Sequence, residues 1–280
     1  MKFGLFGINI GPCADPETAG RVAVIAEEVG FESVWTGEHV VLPDPQVPPS
    51  PSPPETPFLD PAVSLAFVAS QTKSIRLGTG IIILPQRNPL VLAKELASVD
   101  VLSKGRLIFG LGIGYLKPEF DALGIPFEQK GPRAMEYLDA MLAVWTQERP
   151  SFHGTFASFS GIQSLPQPLQ KPHPPIVIGG MSPQGYRRAV TRANGWYGFA
   201  LDIDGAEACL AALREAQSRF GRPPELGPLE ISITPRGRVD KEKAQRFADL
   251  GVHRLTVYRQ LENGEDLVQF VRRFGDDVIA

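Results

Sequence analysis

An acidic residue and a histidine stand side by side in Trp35-Thr36-Gly37-Glu38-His39. Histidine titrates near neutral pH, so His39 can give or take a proton at a reacting group, with Glu38 as its acidic neighbour. The competing reading is a histidine hydrogen-bonded to loop backbone. His153, His173 and His253 fall in loops or at a strand start and form no cluster. Cys13 and Cys209 lie in no CxxC or Cys/His pattern, so neither zinc nor a disulfide framework is expected.

Two glycine-rich segments could hold a ligand. Gly110-Leu-Gly112-Ile-Gly114 lets a flat or anionic molecule approach the backbone, although its GxGxG spacing is not the dinucleotide fingerprint. Gly179-Gly180-Met181-Ser182-Pro183 precedes a helix, with Ser182 as N-cap and Pro183 at the first helical position. Free amides and the positive end of the helix dipole would suit a phosphate there. An ordinary strand-to-helix turn is the other reading. Generic barrels bind phosphate after strands seven and eight, so a cradle after strand five is unusual. No lysine is placed at a strand end as a Schiff-base enzyme requires, and no G-x-S-x-G elbow occurs.

The elements that must position these residues alternate along the chain. Apolar runs at Phe3–Ile8, Ser33–Thr36, Ile75–Leu84, Leu107–Gly110, Ile176–Ile178, Gly195–Ala200, Leu229–Thr234 and Arg254–Val257 read as strands. Helical patterns follow at Asp15–Gly30, Pro89–Leu102, Pro132–Thr146, from Pro183, Ala206–Phe220, Lys241–Leu250 and Asp266–Phe274. Eight such units predict an α/β fold, a (β/α)₈ TIM barrel occupying residues 1–280 as a single domain. His39 and both glycine segments then fall at C-terminal strand ends, where barrel active sites are built.

Insertions are expected near 43–61, 115–133 and 152–168. The first holds nine prolines and must be an extended loop, either a pocket wall or a plain surface insertion. The last alternates Phe152, Phe156 and Phe159 around glycines and reads as a small β excursion.

The chain has 280 residues, 43% of them hydrophobic, with a net charge of −3. That excludes disorder and gives no reason to expect nucleic acid. No apolar run reaches membrane-span length, and Met1-Lys2 leads into Phe3-Gly4-Leu5-Phe6 without a leader pattern. The expectation is a reduced cytoplasmic protein acting on a small-molecule substrate, with a homodimer left open.

Taken together, Glu38-His39-Val40, Leu77–Pro89, Ala93-Lys94, Asp100–Arg106, Gly110–Gly114 and Pro174–Gly180 resemble the luciferase-like monooxygenase superfamily. The similarity is densest to its actinobacterial branch of coenzyme F420-dependent oxidoreductases and runs from Phe3 to about Trp196. The resemblance implies a barrel with its cofactor, F420 or alternatively FMN, at the C-terminal face. It implies that His39 contacts the ring and that Gly80–Ile81 forms a bulge behind it, joined by a cis peptide. Gly112, Gly114, Tyr115 and Met181 would line the cofactor, and Gly179 and Gly180 would hold its phosphate. Arg87, Lys130 and Arg133 could meet a phosphate and an acidic tail. Tyr115 stands where relatives often carry tryptophan, and Ala193-Asn194-Gly195-Trp196 where they often carry Gly-Asp-Gly-Trp. Three functions stay open: a hydride-transferring F420 oxidoreductase, an FMN-dependent monooxygenase, and a flavin-binding barrel without turnover.

Overall fold

The computed structural model describes residues 1–280. The chain runs β1 (Lys2–Phe6), α1 (Pro16–Glu28), β2 (Ser33–Thr36), α2 (Pro61–Gln71), β3 (Arg76–Thr79), β4 (Ile82–Ile83), α3 (Pro89–Leu102) and β5 (Leu107–Gly112). Then come α4 (Lys117–Ala122), α5 (Lys130–Thr146), β6 (Phe152–His153), β7 (Ser158–Phe159), β8 (Ile176–Gly179) and α6 (Pro183–Arg192). The last elements are β9 (Gly195–Leu201), α7 (Ile203–Phe220), β10 (Glu230–Pro235), α8 (Lys241–Asp249), β11 (Arg254–Val257) and α9 (Gly264–Phe274).

Every pairing in the main sheet is parallel, in the order β3-β2-β1-β11-β10-β9-β8-β5-β4. Leu77 pairs with Leu107 and Gly78 with Ile108, which joins β3 to β5 and closes the cylinder. β3 and β4 are two halves of one stave, so the barrel has the eight expected. The single strand expected over Ile75–Leu84 breaks at Gly80–Ile81, where the peptide is cis. β6 and β7 form the antiparallel excursion expected in the third insertion.

Helix starts follow side-chain chemistry. Asp15, Asp60, Asn88, Ser182, Asp202, Asp240 and Asn263 each accept a backbone N–H from the first turn of the helix they precede. Only α4 and α5, both within or beside the second insertion, lack such a cap. α2 was not anticipated, because Pro61 reads as the last proline of the loop. Its Asp60-Pro61 start is a cap-plus-proline signal, but its residues are apolar on nearly every side and show no clear stripe.

Inside the cylinder Phe6, Trp35, Ile108, Val177 and Tyr197 form a compact cluster. Trp35 stacks on Tyr197 with ring centroids 5.7 Å apart and planes 9° from parallel. Below them Arg254, 1% exposed, plugs the N-terminal end through Glu32, at 2.9 and 3.0 Å, and through Glu230 and Ser232. Thr79 and Gly110 lock β3 to β5 where the stave breaks. The Gly110 N–H donates to Thr79 Oγ1 at 2.8 Å, and the Thr79 hydroxyl donates to the Gly110 carbonyl at 2.7 Å.

A Cβ on Gly110 would overlap the Thr79 carbonyl oxygen. Gly110→Ala is therefore expected to cost more than the roughly 1–3 kcal/mol of ordinary core overpacking, since a backbone atom cannot swing aside. Urea denaturation checks this. A variant as stable as the parent would mean that β3 and β5 separate more easily than their pairing implies.

Candidate active site

The side chains at the C-terminal mouth are placed by three loops that hold one another. Asn9, fully buried after β1, donates to the carbonyls of Gly37 at 2.9 Å and Leu59 at 2.6 Å, and accepts from the Gly37 N–H at 2.9 Å. The Gly11 N–H reaches the Pro57 carbonyl, and the Leu59 N–H reaches the Asn9 carbonyl, both at 3.0 Å. The proline-rich loop is thus fastened to the exit of β1 at its far end. It serves as a wall of the mouth, with the Phe58 ring edge-on to His39 at 5.6 Å.

Glu38 and His39 part company at the end of β2. Glu38 turns inward, 6% exposed, and accepts from the Ile83 N–H and from Arg87, whose Nε lies at 3.0 Å. Burial pushes its carboxyl up, while Arg87 and the Ile83 amide oppose that. Arg87 also holds Asp60, the α2 cap, at 2.7 Å. Burial works against its charge, but the two carboxylates outweigh it and raise it further. The expectation of Glu38 as a reacting group meets a different geometry: its oxygens are spent joining β2, β4 and α2.

His39 has another carboxylate instead. Glu119, 1% exposed on α4, accepts from His39 Nδ1 at 3.2 Å and from the Val40 N–H at 2.6 Å. A carboxylate partner calls for a proton on Nδ1, and Nε2 has no protein partner. Tyr115 closes the other side of the imidazole, edge-on at 6.0 Å, and its hydroxyl is raised by burial and by the charge of Glu119.

Gly114 makes this arrangement possible. It sits at φ +74°, and a Cβ there would press on Ile83 and Phe120, each at 2.7 Å. Without that clearance α4 could not fold back over the barrel and bring Glu119 to His39. The other glycines of the GxGxG segment also lie against protein atoms. Gly110 clears the Thr79 carbonyl, Gly112 clears the Ile81 side chain, and Gly114 clears Phe120, so all three accommodate protein atoms.

Ile81, in the break between β3 and β4, packs against the barrel cluster and lies beside Gly112 and Gly179. Gly180, at φ +125°, has only the Gly185 Cα near where its Cβ would be, at 4.0 Å. Its carbonyl accepts from Trp196 Nε1 at 2.9 Å, and Ser182 Oγ accepts from the Gly185 N–H at 3.1 Å. The remaining first-turn amides of α6 are those a phosphate could use.

Around the opening Val40, Tyr115, Met181 and Phe199 are between 41% and 52% exposed and form an apolar rim. The expected cations do not line it. Arg87 is committed to Glu38 and Asp60. Arg133 is 7% exposed, donates to the Pro126 carbonyl at 2.9 Å and lies over the Phe156 ring, and Lys130 sits over the Phe127 ring at 3.2 Å. Glu119 and Asn9 are the residues missed from the sequence. Glu119 lay in the Tyr115–Phe120 stretch, but its pairing with His39 spans 80 residues.

Comparison with known proteins fits this geometry. An uncharacterized protein of Mycobacterium tuberculosis is 30% identical over 284 residues, covering 98% of this chain and 97% of its own. The oxygenase component of the flavin-dependent trigonelline monooxygenase of Acinetobacter baylyi is 32% identical over 199 residues, covering 68% of this chain and 52% of its own. Among solved structures, an F420-dependent secondary alcohol dehydrogenase superposes with a TM-score of 0.80 at 16% identity, covering 99% of this chain and 98% of its own. Similarity was expected to fade after about Trp196, yet the luciferase-like monooxygenase family model matches residues 3–271. That span takes in every stave of the barrel, the His39 loop and α4, and the chain belongs to the luciferase-like monooxygenase family.

Proposed function

We propose that this protein is an oxidoreductase that moves a hydride between coenzyme F420 and a small organic substrate, with His39 as the proton-handling group. The observation that carries the reading is the Glu119–His39 pair, which leaves Nε2 unpartnered at an apolar mouth.

The residues fit a flavin-type ring. The rim of Val40, Tyr115, Met181 and Phe199 would cover its faces and edges, Ile81 would back it, and the start of α6 after Gly179-Gly180 would take its phosphate. When bound, the cofactor supplies the two electrons as hydride. The chain's own part is to orient and to handle the proton. Glu119 holds the imidazole by Nδ1, so that Nε2 is aimed as acceptor or, once protonated, as donor to a substrate oxygen. Glu119 also anchors the Val40 amide, so the loop carrying His39 is held at two points. Phe58 and Tyr115 flank the imidazole and exclude water from it.

The choice of F420 is supported by the branch resemblance and by relative chain length. The chain spans nearly all of the F420-dependent alcohol dehydrogenase structure but about half of the trigonelline monooxygenase component. The second reading, an FMN-dependent monooxygenase, is favoured by the higher identity to that component. Titration followed by absorbance and fluorescence separates them. F420 is expected to bind at least tenfold tighter than FMN, about 1.4 kcal/mol. A tenfold preference for FMN would replace the hydride-transfer reading with the monooxygenase one.

A further inference from the structure

β10 and β11 are the seventh and eighth staves, and the loops leaving them open onto a cavity of about 650 Å³. It is bounded by the start of α8 and by the C-terminal half of α9. Val239, Val257, Phe270 and Phe274 form an apolar floor. Arg238, Arg259 and Arg273 stand on its wall, each from a different segment.

None of these three guanidinium groups is in an ion pair, whereas Arg21, Arg87, Arg192 and Arg254 each hold a carboxylate. Two acids share the wall. Asp240 is committed as the cap of α8, accepting from the Lys243 N–H at 2.8 Å, and only Asp277 is left uncommitted. The Arg259 guanidinium lies 5.8 Å from the centre of the Phe270 ring. Arg273 is three residues further along α9, one helical turn from Phe270, and lines the same cavity. Arg273 Nε donates to the Gln269 carbonyl at 3.2 Å, which lays that side chain along the helix with its terminal nitrogens unbonded.

We propose that this cavity is a binding site for an organic phosphate, separate from the His39 mouth. Guanidinium forks match the oxygens of a phosphate in pairs. Three cations against one uncommitted carboxylate leave room for about two negative charges, and a phosphate monoester carries roughly that at neutral pH. The volume lies within the range of about 300–1,000 Å³ typical of small-molecule sites, so it accepts an organic body on the apolar floor as well as the anion. The loops after strands seven and eight are also where barrels commonly hold phosphate. Gly179-Gly180 belongs to a different stave, two strands away through β9. Tyr258 lines the cavity and also packs edge-on against Phe6 in the barrel at 5.2 Å.

Calorimetric titration of the full chain with 1-naphthyl phosphate, 1-naphthol and inorganic phosphate tests the site. The aryl phosphate is expected to bind once per chain and roughly tenfold or more tighter than either fragment. Arg259→Gln and, separately, Arg238→Gln should each weaken it by roughly tenfold, the loss expected for a hydrogen bond to a charged group. Both side chains are exposed, so the melting temperature should hold. His39→Ala should leave the affinity unchanged. The proposal is overturned if the aryl phosphate does not bind, if naphthol binds as tightly, or if neither arginine substitution weakens binding. It is equally overturned if His39→Ala abolishes binding, which would locate the probe at the mouth. None of these outcomes depends on which flavin-type cofactor the mouth accepts.

Discussion

Turnover of His39→Ala, measured at saturating cofactor, is expected to fall by roughly 10²–10⁴, the usual worth of a positioned acid or base. Cofactor affinity should change far less, because one neutral hydrogen bond is worth about 0.5–1.5 kcal/mol. Glu119→Gln separates holding the imidazole from merely touching it. Glutamine can still accept from one donor, but it can also donate toward Nδ1 and so favour the wrong tautomer. The expected pattern is a loss in kcat that approaches that of His39→Ala, with KM nearly unchanged. Glu38→Gln should behave differently. It unpairs Arg87 and loosens the contacts among β2, β4 and α2, so its effect should appear first in the melting temperature. If Glu119→Gln turned over normally while His39→Ala did not, the carboxylate would be only a loop anchor for Val40. If both turned over normally, His39 would be packing and the proposed chemistry would fail.

Arg254→Ala should produce the largest loss of stability. The side chain is 1% exposed, holds Glu32 and Glu230, and lies under the Trp35 ring at 5.4 Å. Removing one partner of a buried ion pair leaves charges uncompensated and typically costs about 3–5 kcal/mol. Arg254→Met should cost less, because it refills the space beneath Trp35. The two variants separate lost charge from lost packing.

The same network fixes an acid limit. Burial works to raise the Glu32 and Glu230 carboxyls, but the charge and hydrogen bonds of Arg254, joined by Ser33 at Glu32 and by Lys2 at both, outweigh it, and both sit below their ordinary range. The folded state therefore binds fewer protons there than the unfolded chain. This contribution is complete above the unfolded glutamate value of about 4.3 and is lost as pH falls through the lower folded values. Urea denaturation from pH 7 downward should show that loss in the parent and a flatter profile in Arg254→Met. Parallel profiles would mean that Arg254 does not set the acidity of the two glutamates.

The eight staves could be read from the sequence because a parallel strand buried on both faces is a short run of apolar residues, and each such run announces itself locally. Helix starts could be read for the same reason, since Asp15, Asn88 and Ser182 act on amides two or three residues away. His39 at a C-terminal strand end and the β excursion after α5 were likewise visible along the chain, whereas the cis peptide at Gly80–Ile81 was expected from the family resemblance alone.

What tertiary structure alone decided was who partners whom. Glu38 adjoins His39 in sequence, but consecutive residues leaving a strand point to opposite sides, so Glu38 went to Arg87 and the imidazole was left for a residue on α4. Arg87 carried a charge suited to a phosphate, and two carboxylates from β2 and the α2 cap claimed it. The spacing of Gly110, Gly112 and Gly114 could not show which protein atoms lie against them, and the fold places Thr79, Ile81 and Phe120 there. Composition and periodicity encode burial and local geometry, whereas a side-chain contact across 80 residues exists only once the barrel has closed and brought β2 and α4 to one rim.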